Sequence, residues 1–355
     1  MTMNVSERNR ANDLLDKSLP TYRQAYSDRT AWLMACLSEL AYLRFNPLFS
    51  SGDQKEWFLE NISKLIDDGR KASLLKLMNS VAYNAEEERS ILEGSLYSLR
   101  LELSATFDRG GTQAILVSGE SFIVLAFRGT EAMSVRDIKS DVRANKRACE
   151  SGGKMHSGFY DAFENVRSMI EEAINAPPHA DKPLYVTGHS LGGAVATVAA
   201  KKLAHPGGIA ACYSFGAPRV GDDDWIAEIR TPVYRLVNSA DCVTMLPPSS
   251  EFVALIAWLL RWVSRAHIPL VSPLAGALAS KLTTAFGGYL HGGDMRYLTN
   301  CPPGTYGQVK LLYAVGLFRR LYGFSVKKWP LRKFLADHSI SVYRRKLLVV
   351  AERRN

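Results

Sequence analysis

Ser190 stands in VTGHSLGGAVA, between Gly188 and Gly192, with Gly193 next. The spacing is G-x-S-x-G. A short apolar run, Pro183 to Thr187, leads into it, and the small-residue segment LGGAVATVAAKKLA (Leu191 to Ala204) leads out. Strand, tight turn and helix in that order let a serine Oγ project into a cleft as a nucleophile. Glycine on both sides of the serine lets strand and helix approach. The helix N-terminus favours negative charge that develops beside it. A serine hydroxyl needs further groups: a base to take its proton, a carboxylate to orient that base, and donors for the oxyanion. Asp241 is the candidate carboxylate, because it follows the apolar run VYRLV. Asp222, Asp223 and Asp224 sit in a polar run that reads as the start of a helix, where acidic groups suit the dipole. In the nucleophile–acid–base chain order that goes with this turn, the base comes last. Of the seven histidines only His267, His291 and His338 follow Asp241. Chain order leaves all three open.

The surrounding sequence predicts the scaffold that must hold these groups. Residues 1 to about 100 read as helical: Ala31 to Leu43 is a mostly apolar helix and YNAEEERSILEGSL a charged helix surface. From about Thr106 the texture becomes β-rich, with TQAILV and SFIVLAF joined as a hairpin. FYDAFENVRSMIEEAIN returns to helical spacing, and ACYSF and VYRLV are two further buried-strand candidates. Alternation of this kind predicts an α/β fold with a mostly parallel central sheet covered by helices on both faces. No Pro/Gly/Ser-rich linker divides the 355 residues. The expected organisation is one integrated unit: a helical N-terminal extension (1–100) packed on a catalytic domain (101–355) with an apolar insertion at 251–290.

That insertion contains FVALIAWLLRWV, broken at Arg261 and followed by Pro269 and Pro273. It falls short of the roughly 20 apolar residues of a spanning helix. It reads as a buried core helix, or as a lid or amphipathic helix lying in an interface. The formal charge of +9 is concentrated in the last third of the chain: residues 251–355 hold 16 Lys and Arg against 4 Asp and Glu. Such an excess is a solvated positive face or a patch that attracts anionic phosphates. The five cysteines show no C-x-x-C spacing, which argues against zinc and against a dense disulfide framework. The first twenty residues are polar and lack the apolar core of a Sec signal, so a cytoplasmic, possibly membrane-peripheral location is the expectation, with leaderless export leaving no trace to read.

Taken together, the motifs resemble the class 3 lipases, the fungal triacylglycerol lipase-like branch of the α/β-hydrolases. GHSLGG (Gly188 to Gly193) is similar to that family's nucleophile motif. VLAFRGT (Val124 to Thr130), KMHSGFYDAF (Lys154 to Phe163), SFGAPRVGDDDW (Ser214 to Trp225) and VNSADCVTMLPP (Val237 to Pro248) resemble its other segments, in the same order. Residues 1–100 and 251–330 carry no strong motif. The resemblance implies a serine ester hydrolase of the α/β-hydrolase fold acting on lipid esters through an acyl-enzyme, with no metal or cofactor and no nucleic-acid partner. It implies Ser190 as nucleophile, Asp241 as orienting acid, and oxyanion donors at the backbone N–H groups of Thr130 and Leu191. Gly129 ending a strand at the sheet's carboxyl edge agrees with this, since ligands of such sheets bind there.

YLHGGDMRYL, with His291, resembles a segment of the family that is usually non-catalytic. LADHSISVYRRKL, with His338, resembles the terminal segment that carries the base, here with Tyr343 five positions on. The resemblance therefore implies His338 as base, with His291 the alternative and His189 and His156 structural. The stretch from Asp241 to His338 is longer than in a minimal member, the excess being the apolar insertion. The family's lid usually follows FRG-S/T. Here that stretch, EAMSVRDIKSDVRA, is polar, so the later insertion is expected to share the lid's role. A phospholipase or thioesterase on the same triad is the nearest alternative. A non-catalytic hydrolase-fold protein that binds membranes or partners is a further one, and it would leave Ser190 dispensable.

Overall fold

Five central strands of one sheet run parallel, and their sequences show why. Strands covered on both faces need apolar side chains at nearly every position rather than an alternating pattern. In the computed structural model, β3 (Ile123–Phe127), β6 (Leu184–His189) and β8 (Val233–Asn238) are buried at every residue, and β7 (Ile209–Phe215) at all but its first. The structure describes residues 5–16, 25–44, 60, 62–63, 66–67, 84–129, 146–149, 152–239, 241–265, 271–286, 288–302, 304–313, 315–316 and 336–354.

The sheet has eight strands in the order β1-β2-β3-β6-β7-β8-β9-β10. β1 (Glu102–Arg109), β2 (Thr112–Ser118) and β3 form an antiparallel meander, and β3, β6, β7, β8 and β9 (Asp294–Leu298) are parallel. β10 (Leu311–Tyr313) closes the far edge antiparallel to β9. A separate two-stranded ribbon pairs β4 (Lys146–Ala148) with β5 (Lys154–His156). The hairpin expected at TQAILV and SFIVLAF is the β2–β3 pair. β1 is an addition. Only Phe107 of its eight residues is buried, so it lacks the continuous apolar run of the inner strands.

Helices cover both faces. One layer holds α4 (Ser157–Asn175) and α5 (Leu191–Lys202). Phe159, Phe163, Val166, Ile170 and Ile174 recur at helical spacing along α4 and join Leu184 and Val186 of β6 in one core. Tyr185, the residue between them, joins the opposite core with Tyr213 of β7. That second layer contains α1 (Val5–Leu15), α2 (Asp28–Leu40), α3 (Ala85–Ser98) and α9 (Ile340–Arg353). α2 is capped by the Ser27 hydroxyl, which accepts from Thr30 N–H, and is buried at every residue from Thr30 to Leu40. It lies between the sheet and α9. The short α6 (Asp223–Ala227) begins where the acidic run predicts, with the Asp222 carboxylate accepting from Trp225 N–H at 3.1 Å.

The apolar insertion forms two helices, α7 (Ser250–Ser264) and α8 (Val271–Phe286), packed on each other. The core-helix expectation is overturned here: Leu255, Trp258, Leu259 and Trp262 are exposed. Among the described residues no helix is long and apolar enough to cross a membrane.

Candidate active site

β6 ends at His189 and α5 starts at Leu191, so the whole reversal falls on Ser190. Its backbone has φ 57° and ψ −126°, a conformation that costs a non-glycine residue about 1–3 kcal/mol. The flanking glycines permit it by close approach. A Cβ on Gly188 would lie 2.3 Å from the Gly192 carbonyl oxygen, and one on Gly192 would lie 2.4 Å from that of Phe127. Ser190 N–H donates to Phe215 O at 2.9 Å, which ties the turn to β7.

Asp241 follows β8 and is fully buried. Its N–H donates to Asn238 O at 2.8 Å, and its Oδ1 accepts from Val243 N–H at 3.0 Å. His338 lies just before α9. Its Nδ1 stands 3.0 Å from Asp241 Oδ2 and 3.1 Å from Oδ1, and its Nε2 2.9 Å from Ser190 Oγ. With Nδ1–H donating to the carboxylate, Nε2 carries the lone pair that faces the serine hydroxyl. The three groups expected from sequence therefore meet, although 97 positions separate Asp241 from His338.

Groups to which the sequence reading gave no part in the triad complete the site. Tyr343 O–H donates to Asp241 Oδ2 at 2.6 Å and accepts from Asn238 N–H at 2.9 Å. Burial, and then the neighbouring Asp241 charge, push the Tyr343 phenol well above its usual range, so it stays a donor. Asn238 Nδ2 donates to Asp337 O at 2.7 Å, and its Oδ1 accepts from Lys346 Nζ at 2.6 Å. Behind the imidazole, His189 Nε2 donates to the His338 carbonyl at 2.6 Å. His189 Nδ1 then accepts from Tyr42 O–H at 2.8 Å. Burial, and then the His338 ring beside it, hold His189 well below the ordinary histidine range, so it is a neutral strut. Arg219, in the PRVG segment, donates to the carbonyls of Met245 and Pro247 and pins the loop that follows Asp241.

Gly216 lies where β7 leaves the sheet, with φ +59°. A Cβ there would sit 2.6 Å from Asp241 Oδ2 and 3.1 Å from His338 Nδ1. Asp241 and His338 approach each other over a residue with no side chain.

His291 turns to another partner: its Nε2 donates to Thr244 O at 2.6 Å. Leu191 opens α5, so its N–H is one of the four at a helix start that lack an intrahelical acceptor. Gly129 packs against the elbow, where a Cβ would meet His189 O at 2.5 Å and Ser190 Cβ at 3.3 Å. Thr130, His267 and the polar stretch at the family's lid position lie outside the described residues.

Residues 124–251 match the family described as Lipase (class 3). This segment is similar to the class 3 lipases. A secreted mono- and diacylglycerol lipase 1 from Fusarium solani is 31% identical over 172 residues, which cover 46% of this chain and 49% of that protein. The chloroplastic phospholipase A(1) DAD1 of Arabidopsis thaliana is 32% identical over 153 residues, 36% of this chain and 34% of that protein. The chain thus spans about half the length of the curated relatives it matches, or less. The crystal structure of a mutant MDLA from Penicillium cyclopium superposes with a TM-score of 0.52, at 18% identity, over 91% of this chain and 97% of that one. The matched segment therefore sits within an α/β-hydrolase fold that extends well beyond it on both sides.

Proposed function

We propose that the protein is a serine ester hydrolase that cleaves acyl esters of lipids. One observation carries the reading: Ser190 Oγ, His338 Nε2 and Asp241 stand in hydrogen-bonded series, at 2.9 Å and 3.0 Å. Ser190 Oγ attacks the acyl carbonyl carbon while His338 Nε2 takes its proton. Asp241 holds the ring and stabilises the imidazolium. The oxyanion is met by the N–H groups of Leu191 and Thr130, each such donor contributing about 3 kcal/mol in the transition state. The carbon–oxygen bond to the alcohol then breaks and His338 returns the proton to the leaving oxygen, which leaves an acyl ester on Ser190. Water, deprotonated by His338, repeats the addition and frees the acid.

The relatives named above act on mono- and diacylglycerols or on phospholipids by their names, which supports a glycerolipid ester as substrate. Peripheral contact with an anionic lipid surface belongs to the same reading, and a phospholipid is the second candidate because the basic excess of residues 251–355 suits its phosphate.

The test is the hydrolysis rate of a short-chain p-nitrophenyl ester by the wild type, Ser190→Ala, His338→Ala and His291→Ala, with folding followed by circular dichroism. Ser190→Ala and His338→Ala are each expected to lose about 10⁴-fold or more in kcat, and His291→Ala to stay within tenfold of the wild type. A folded Ser190→Ala protein with undiminished turnover refutes the reading.

A further inference from the structure

The α7–α8 hairpin carries its side chains the wrong way round for a core element. The positions it buries are small, Val253 and Ala257 on α7 and Ala275 and Ala279 on α8. The positions it exposes are large: Leu255 (52% exposed), Trp258 (56%), Leu259 (46%) and Trp262 (63%), with Leu274 (68%) and Leu278 (49%) on α8. On α7 these residues recur at i, i+3, i+4 and i+7, a single stripe opposite Val253 and Ala257. The rings of Trp258 and Trp262 lie one turn apart, with centroids 6.4 Å from each other. Arg261 and Arg265 are exposed along one margin of the stripe, and Lys281 is exposed on α8.

An apolar stripe edged by cations is how a helix lies in a membrane interface: aliphatic groups among acyl chains, basic groups at phosphates, indoles at the boundary. A second copy of the chain is a poorer occupant. A two-fold pairing of this face would add a second set of the same cations to the interface, whereas anionic headgroups complement them. The hairpin is also placed at the site. It begins just beyond the loop after Asp241, and it returns to the sheet at His291, which is bonded to Thr244 of that loop.

We propose that the α7–α8 hairpin is a docking element for lipid surfaces bearing anionic headgroups. It seats the two tryptophans and their neighbouring leucines below the headgroups, with Arg261, Arg265 and Lys281 at the phosphates. The enzyme then draws its ester from that surface. Only this last step rests on the hydrolase reading, because docking itself needs no turnover.

The test is flotation of the full-length Ser190→Ala protein with two kinds of vesicle, phosphatidylcholine alone and equimolar phosphatidylcholine and phosphatidylglycerol. Binding is expected to be stronger on the mixed vesicles and to weaken with salt. Trp258→Ser with Trp262→Ser should lower partitioning about tenfold or more. Arg261→Glu with Arg265→Glu should lower it about fivefold per charge, on the mixed vesicles only. Thermal unfolding of the variants separates loss of docking from loss of fold. Quenching of tryptophan emission by brominated lipid is expected in the parent and reduced in the tryptophan pair variant. Folded variants that bind like the parent overturn the proposal, as does a parent that floats with neither vesicle. A lipid-free dimer dispersed by the tryptophan pair variant assigns the face to a second copy and also overturns it. Vesicle binding by a protein whose wild type shows no ester turnover keeps the docking element and rejects the hydrolase reading.

Discussion

Gly216→Ala tests whether the acid–base contact depends on an absent side chain. The added Cβ would lie 2.6 Å from Asp241 Oδ2 and 3.1 Å from His338 Nδ1. Neither neighbour can yield freely: Asp241 is held by Val243 N–H and Tyr343 O–H, and the His338 carbonyl by His189. The methyl group must part the carboxylate from the imidazole. Losing the orienting carboxylate of a serine triad costs about 10⁴ in kcat, and the expected loss is of that order. The substitution also puts alanine at φ +59°, which costs about 1–2 kcal/mol of stability. Gly111→Ala isolates that second effect. Gly111 has φ +78° with no atom within 4 Å of a built Cβ, so it carries the backbone strain without the crowding. Both variants are assayed for kcat on a soluble ester and for unfolding in urea. Both are expected to lose stability, and only Gly216→Ala to lose turnover. A folded Gly216→Ala enzyme within tenfold of the wild type refutes the reasoning, and an equal loss of turnover in Gly111→Ala does so too.

Two further predictions concern stability. His189 is held below its ordinary value of 6.5, so below that pH the unfolded chain binds a proton that the native state refuses. Its contribution is therefore complete above about pH 6.5 and falls by up to about 1.4 kcal/mol per pH unit beneath it. Urea midpoints from about pH 7 to pH 5 should slope less in His189→Phe than in the wild type, and equal slopes would contradict this assignment. Arg344 pairs with Glu39, at side-chain exposures of 5% and 8%, and with Glu7 at 3.3 Å, linking α9 to α2 and α1. Arg344→Leu should cost about 3–5 kcal/mol, and adding Glu39→Leu should recover much of it. A double variant less stable than the single one would refute the view that the uncompensated charge is what costs.

The elbow and the inner strands were legible because steric and burial demands leave few alternatives. GHSLGG needs its glycines where strand and helix nearly touch, and VYRLV and ACYSF must be covered on both faces. His338 was reached by resemblance rather than by spacing, since chain order leaves three histidines open. Tyr343 as a partner of Asp241 was not legible. The five-residue step from His338 crosses the start of α9, so no single periodicity relates the two side chains that meet the carboxylate. Asn238 and Lys346 were hidden for a different reason. A lysine in YRRKL reads as a solvated cation, yet Lys346 is 1% exposed and donates to Asn238 Oδ1 and Thr299 O. Part of the basic excess of the last third therefore lies inside the protein. In the insertion, composition gave the helices but not their orientation, because which face of α7 meets α8 depends on the partner helix.

The burial of α2 bears on what could be cut out or transplanted. The segment that matches the lipase family, 124–251, contains Ser190 and Asp241 but stops short of His338. It also excludes α2 and α9, which cover one face of the sheet, and Tyr42, which steadies the imidazole through His189. A fragment limited to the recognisable motifs would expose that whole face to water and carry two thirds of a triad. The smallest transferable unit of this protein is accordingly larger than its signature, and it draws on helices that precede and follow the family segment by dozens of residues.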